Sequence, residues 1–213
     1  MIITWYGQSC FRLQGTSVVL VIDPFSKDIG LTPQRGRADV VLVSHHHSDH
    51  DNVRTIEGEP IVADGPGEYE AKGVAVRGIL ADHDEAGGTL RGKVTIYTIE
   101  LENIRFCHLA DLGQKKLTQE QIGQIGEVDV LFVPVGGTYT IGPVEAAEVV
   151  SHIEPRVVIP MHYRVPGLTL PLEPAARFFK EMGVTPEVMS RFVAKRKDLP
   201  TAETRVIELT LEK

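Results

Sequence analysis

The 213-residue chain has only two cysteines, Cys10 and Cys107, and no CxxC motif. Two isolated cysteines provide neither a disulfide framework nor a cysteine-based zinc site, and they favour a reduced, cytosolic protein. No stretch approaches the roughly 18 to 20 consecutive apolar residues of a membrane span. The opening MIITWYGQSCF lacks the basic and apolar regions of a signal peptide, so it predicts a first strand instead.

An excess of positive charge is also lacking. The chain carries 22 Lys and Arg against 29 Asp and Glu, a formal net charge of −7. This balance disfavours nucleic acid as a partner, because neutralising phosphates requires a basic face. Apolar content of 42% and charged content of 24% are ordinary for a globular protein, and the length predicts a single domain over residues 1–213. Nothing in the sequence indicates an oligomeric state.

Short apolar runs separated by turns predict many strands, and helices are denser in the second half. ITWYGQSCFRL and SVVLVIDPF predict two strands joined by a turn at residues 14–16, followed by strands at ADVVLVSH, PIVADG, GVAVRGILADHD, KVTIYTIELEN and IRFCHLAD. LTQEQIGQIGEV predicts a helix with Thr118 as N-cap and Gln121 completing a capping box. The later segments predict a strand, a helix opening with Pro143, a strand, a helix and a closing strand. This order favours one layered α/β domain.

One segment, VSHHHSDH at residues 43–50, holds four of the eight histidines. In an extended segment His45 and His47 point to the same side, so they can share one metal ion, while His46 packs on the other face. Ser48 and Asp51 have capping-box spacing and predict a short helix, which turns Asp49 and His50 away from the first pair. Imidazole and carboxylate ligands suit zinc and similar ions, so the segment predicts two metal sites.

Two ions need further ligands from other parts of the chain. His83, Asp111 and His162 each follow an apolar strand directly, in ILADHDE, CHLADLG and VVIPMHY. Loops at one edge of a sheet sandwich converge, so these side chains are expected to meet the 45–50 cluster there.

SHHHSDH has the HxHxDH pattern of the metallo-β-lactamase superfamily, and nearly the whole chain resembles small members of the branch related to ascorbate 6-phosphate lactonase. The resemblance implies an α/β fold, an αββα sandwich with the metal site at one edge. It also implies that the first ion is held by His45, His47 and His83, and the second by Asp49, His50 and His162, with Asp111 bridging both. Relatives usually have glycine where this chain has Ala110, and many have histidine at Gln8. An aspartate at the position of Asp23 supports the metal-binding histidines.

This ligand set implies a metal-dependent hydrolase, in which a hydroxide between two divalent ions attacks a small ester, lactone or phosphodiester. Zinc is the favoured metal, with Mn, Ni or Fe as alternatives. Asp49 orients the water or takes its proton, and His108 or Tyr163 is a candidate proton donor to the leaving group. His108 also competes as a ligand, although contact with the substrate or with the ligand side chains is favoured. The alternatives are a nuclease or cyclic-nucleotide phosphodiesterase, a mononuclear iron enzyme, and a non-catalytic metal- or partner-binding module.

Overall fold

The computed structural model describes residues 1–212, and in this range the chain forms sixteen β-strands and three α-helices. The strands up to residue 82 are β1 (Ile2–Gly7), β2 (Cys10–Gln14), β3 (Val19–Ile22), β4 (Gly36–Arg37), β5 (Val40–Leu42), β6 (Ile56–Glu57), β7 (Ile61–Ala63), β8 (Gly67–Ala71) and β9 (Val74–Asp82). The later strands are β10 (Lys93–Leu101), β11 (Ile104–His108), β12 (Val130–Pro134), β13 (Val157–Met161), β14 (Glu187–Met189), β15 (Phe192–Val193) and β16 (Arg205–Leu209). The helices are α1 (Gln119–Ile125), α2 (Pro143–Ile153) and α3 (Ala176–Glu181).

The strands build two large sheets. One has six strands in the order β15-β1-β2-β3-β5-β7, and the other has eight in the order β14-β16-β13-β12-β11-β10-β9-β8, while β4 and β6 form a separate pair. The helices lie on the side of the eight-stranded sheet, with α1 against β9, α2 against β12 and α3 against α2. The larger sheet is therefore the one that carries the α-helical layer.

The core lies between the two sheets because alternate side chains of each strand point inward. Leu20 and Ile22 of β3 join the large buried cluster that spans both sheets, and Phe11 of β2 lies 4.3 Å, centroid to centroid, from Phe132 of β12. The intervening Val21 and its neighbour Val41 point the other way, into a second cluster with loop residues. The predicted αββα sandwich is confirmed, with two 3₁₀ turns and loops outside the six-stranded sheet.

Strand direction brings several loops to one edge. In the six-stranded sheet β3, β5 and β7 are parallel, and in the larger sheet β11, β12 and β13 are parallel. Strand β9 is antiparallel to β10, which is antiparallel to β11, so β9 ends at the same edge as β11. The residues that follow β9, β11, β12 and β13 are therefore neighbours, as predicted for His83, Asp111 and His162.

The first predicted strand proved to be a hairpin. Strands β1 and β2 pair antiparallel, and Gln8 between them has a left-handed backbone with φ of 51°. Only Gly7-Gln8-Ser9 separates the apolar residues on either side, and this turn lacks proline and Asn-Gly signals, so the sequence did not reveal it. The predicted turn at residues 14–16 is present, where Gly15 N–H donates to Val18 O at 2.9 Å.

The predicted short helix after Ser48 was wrong. Residues 48–50 form a turn and only residues 53–55 form a 3₁₀ helix, because Asn52 N–H donates to Pro24 O at 2.7 Å and holds the chain against the neighbouring loop. Short strands β4, β6, β8, β14 and β15 had not been predicted. The capping box of Thr118 and Gln121 is confirmed, as are Pro143 at the start of α2 and the end of α2 before Pro155.

Two further features bear on the class of protein. Cys10 and Cys107 are both buried and unpaired. Among residues 1–212, no helix combines the length and apolar character needed to cross a bilayer.

Candidate metal centre

The structure brings all seven predicted metal ligands together at the shared sheet edge. They form two groups, within each of which one donor atom per residue lies within 4.8 Å of the others. The first group consists of His45, His47 and His83, and the second of Asp49, His50, Asp111 and His162. Both groups match the division that the sequence resemblance implied.

In the first group the imidazoles meet although the segment is not a strand. Strand β5 ends at Leu42, and His45 and His47 lie on a bend with His45 Nε2 only 3.0 Å from His47 Nδ1. His83 arrives from the end of β9, and its ring centroid lies 4.9 Å from that of His45. The prediction that His46 packs on the other strand face was wrong: its side chain is 67% exposed because no strand continues there.

Asp111 is the centre of the second group. Its Oδ2 atom lies 3.1 Å from His162 Nε2, 3.3 Å from His50 Nε2 and 3.7 Å from His83 Nε2. The third of these distances reaches into the first group, so one carboxylate oxygen faces ring nitrogens of both groups. Asp49 lies beside it, with Oδ2 3.4 Å from His50 Nε2. Asp49 is half-buried and His47 is exposed, which leaves the centre open on that side.

Asp23 orients two of the histidines. Its carboxylate accepts hydrogen bonds from Ser44 N (2.7 Å), Ser44 Oγ (2.7 Å) and His50 Nδ1 (2.9 Å). Because the Ser44 hydroxyl donates to Asp23, it accepts from His45 Nδ1 at 2.9 Å. Both rings thus use Nδ1 for these hydrogen bonds, and their Nε2 atoms face the centre. This is the orientation that carboxylate partners give to metal-binding imidazoles.

Burial and charge set the protonation of the centre. Burial, together with the neighbouring His50, lowers the pKa of His45 to about 3, so this ring is neutral and able to bind metal. Burial acts in the same direction on the pKa of His50, but Asp111 and Asp23 outweigh it and raise that pKa well above its ordinary value. Conversely, burial raises the pKa of Asp111, but His162 and His50 hold it well below its usual range.

Several buried ring nitrogens have no hydrogen-bond partner among the described residues. His50 Nε2 and His162 Nε2 lie close to Asp111 Oδ2, but neither makes a hydrogen bond of acceptable geometry, and the Nδ1 atoms of His83 and His162 are also unpartnered. An unpaired buried polar group is costly, and a cation between the Nε2 atoms and the carboxylate removes that cost. The residues present therefore fit divalent metal ions.

The backbone around the centre is unusually strained. Gln8, Asp23, Ala110 and His162 all have left-handed φ angles, between 47° and 52°. Such conformations cost energy in residues other than glycine and tend to concentrate at functional sites. At position 110 the chain adopts this conformation with alanine, which has a Cβ atom that glycine lacks.

Two glycines let neighbouring loops approach the ligands closely. A Cβ atom on Gly113 would lie 2.2 Å from the carbonyl oxygen of His83, and one on Gly136 would lie 2.1 Å from that of His162. Glycine is therefore required at both positions if His83 and His162 are to keep their places.

The two predicted proton donors, His108 and Tyr163, make contacts outside the two groups of candidate ligands. His108 is fully buried, its Nε2 donates to Ser9 O at 2.9 Å, and its Nδ1 accepts from Ala110 N at 3.2 Å. Tyr163 packs against Trp5 with ring centroids 4.9 Å apart, and burial raises its pKa, with a smaller contribution from Glu208. Neither belongs to a donor group, and His108 has no nitrogen left for a substrate or an ion. We therefore do not retain His108 as a proton donor or ligand.

Two residues of the first hairpin turn hold the site carboxylates. Gln8 Nε2 donates to Asp49 Oδ2 at 2.9 Å, and Ser9 Oγ donates to Asp111 Oδ1 at 3.3 Å. His108 contacts the backbone of Ser9 and of Ala110, which precedes Asp111. The sequence did not predict the contact of Ser9, for which the GQS turn was the only local signal.

Comparisons with known proteins agree with this geometry. The family model described as the β-lactamase superfamily domain matches residues 2–162. A UPF0173 metal-dependent hydrolase from Methanopyrus kandleri is 32% identical over 228 residues, covering 89% of this chain and 96% of the relative. One from Thermoplasma acidophilum is 32% identical over 189 residues, covering 76% and 82%.

A solved structure from Thermotoga maritima is similar over nearly its whole length. It is 38% identical, has a TM-score of 0.81, and the match covers 98% of this chain and 97% of the other. That protein is described as a Zn-dependent hydrolase of the metallo-β-lactamase superfamily, a name given without an established activity.

Proposed function

We propose that this chain, which belongs to the metallo-β-lactamase superfamily, is a metal-dependent hydrolase. We further propose that its substrate is a small ester, lactone or phosphodiester. The observation that carries the proposal is the position of Asp111 Oδ2, which faces ring nitrogens of both donor groups at 3.1 to 3.7 Å. The names of the curated relatives support the same reaction class.

His45, His47 and His83 would hold one ion and Asp49, His50 and His162 the other, with Asp111 shared. Zinc is favoured by the imidazole-rich donor set. Two bound divalent ions supply Lewis acidity towards a substrate oxygen and lower the pKa of a bound water. We further propose that residues 1–213 form a single domain.

Asp49 is the best placed residue for proton transfer. It is the one carboxylate of the two donor groups that is only partly buried, and Gln8 holds one of its oxygens. Burial raises the pKa of Asp49, but the hydrogen bond and charge of His50 outweigh it and keep the pKa below its usual range. The carboxylate is therefore ionised at neutral pH and can accept a proton from the attacking water at the oxygen that Gln8 leaves free.

The test is a hydrolysis panel with metal-loaded protein. p-Nitrophenyl butyrate, bis-p-nitrophenyl phosphate, a simple lactone and a cyclic nucleotide are each assayed with zinc, manganese or nickel. Cleavage of at least one substrate, lost on chelation and restored by metal, is the expected result. Protein that binds metal but cleaves none of them would favour a non-catalytic metal-binding role.

We predict that His83→Ala removes the ion of the first group and most of the hydrolytic activity while the fold survives. The ion is lost because His83 supplies one of only three imidazoles of that group. The fold survives because His83 lies just after the end of β9 and not within a strand. Bound metal, activity and thermal unfolding are measured together, with the exposed His152→Ala as control. His108→Ala, by contrast, is expected to lower thermal stability more than metal content, because His108 is hydrogen-bonded to the backbone of Ser9 and Ala110. If His83→Ala kept both ions while His108→Ala lost one, the ligand assignment would be wrong.

A further inference from the structure

A loop with many internal hydrogen bonds follows His83. His83 N–H donates to Gly92 O at 3.1 Å, which closes the loop 83–92. The Asp84 carboxylate accepts four backbone N–H groups of the same loop at 2.8 to 3.0 Å, from Ala86, Gly88, Leu90 and Arg91. The backbone of Arg91 is thus fixed beside a metal-ligand candidate, while its side chain is exposed.

A second loop, residues 135–142 after β12, lies next to it. Ile141 N–H donates to Leu112 O at 2.8 Å, directly after Asp111. Gly113 N–H donates to Asp82 O at 2.9 Å, which ties the segment after Asp111 to the end of β9. The loops that carry Arg91 and Tyr139 therefore both border the candidate metal centre.

The side chains of these two loops meet. The guanidinium carbon of Arg91 lies 4.2 Å from the centroid of the Tyr139 ring, within cation–π distance. Among the described residues the Arg91 guanidinium donates no side-chain hydrogen bond, so its N–H groups remain available. Among residues 1–212 Arg91 makes no ion pair, although the nearby Lys115 is paired with Glu85 at 3.0 Å. The rim therefore contains an oriented cation that the chain itself does not neutralise.

We propose that Arg91, oriented by Tyr139, binds a carboxylate or phosphate group that the substrate carries in addition to the bond that is cleaved. Planar guanidinium groups match the two oxygens of such anions, and an aromatic face beneath the guanidinium keeps it in position. The proposal rests on the hydrolase function proposed above and narrows it to anionic substrates.

The test compares two esters that differ in charge away from the scissile bond, 4-carboxyphenyl acetate and 4-carbamoylphenyl acetate. Metal-loaded wild type is expected to prefer the carboxylate in kcat/KM by about 10-fold, the low end for a hydrogen bond to a charged group. Arg91→Ala should lose this preference, whereas Arg105→Ala should keep it. Arg91→Lys should keep part of it, and Tyr139→Leu should weaken it. The control is Arg105→Ala, an exposed arginine at the start of β11, at the opposite edge of the sheet.

The same preference for the carboxylate ester in wild type and Arg91→Ala would overturn the proposal. Arg91 would then serve only to connect the two loops through its contact with Tyr139. If no form of the protein cleaves either ester, the affinity for inorganic phosphate is measured by titration calorimetry to test the anion site separately. In that case an affinity about 10-fold weaker in Arg91→Ala than in Arg105→Ala supports the anion site even though the proposed reaction fails. Equal phosphate affinity in the two variants would reject the anion site as well.

Discussion

Asp111→Asn is expected to lower hydrolysis by about 10³-fold or more and to release at least one metal ion, since metal-ion charge stabilisation is worth several kcal/mol. Asp111 Oδ2 faces three imidazole nitrogens from both donor groups. Asparagine keeps the shape but loses the negative charge that two adjacent cations require. Metal content by mass spectrometry and steady-state kinetics are the measurements.

The matched control is Asp64→Asn, which changes an exposed aspartate that follows β7 and belongs to neither donor group. It should keep both ions and full activity. Two tightly held ions and near-normal kcat in Asp111→Asn would show that this carboxylate does not bridge them.

Asp49→Asn is expected to lower kcat by about 10²-fold or more, the low end of general-base effects, even with excess metal. The amide keeps one oxygen that can bind metal, but it cannot accept the proton of the attacking water. Because proton transfer takes place in the transition state, kcat should fall more than KM rises. Steady-state kinetics on whichever panel substrate the wild type cleaves, with bound metal counted in parallel, measures this effect.

Asp51→Asn is the control for Asp49, because it changes a neighbouring carboxylate that only approaches His46 at 3.8 Å. Its kcat should stay close to the wild-type value. If Asp49→Asn retained two ions and near-wild-type kcat, Asp49 would have no part in proton transfer. The other groups near the centre would then be the candidates for proton transfer.

The grouping of the candidate ligands could be predicted because it depends on strand ends. Each of His83, Asp111 and His162 follows a strand, and the directions of β9, β11 and β13 bring those ends to one edge. The pairing of His45 with His47 was also predicted, but from an extended strand that is not there. A bend brings the same two rings together, so the spacing indicated the contact although the local conformation was wrong.

The contacts that hold the site could not be predicted in the same way. Gln8 and Ser9 reach Asp49 and Asp111 across 41 and 102 residues of sequence, from a turn that the apolar pattern concealed. The role of His108 depends on which way its ring faces, and a strand end does not fix that direction. His108 turns towards the backbone of Ser9 and Ala110, whereas Asp111, three residues later, turns into the centre.

The central claim is that the two donor groups hold two ions, and metal stoichiometry tests it most directly. Purified protein is stripped with chelator, reloaded with excess zinc, manganese or nickel, freed of unbound metal, and analysed by mass spectrometry against protein concentration. The account predicts close to two ions per chain. Saturation at a single ion per chain with every metal tried would contradict it.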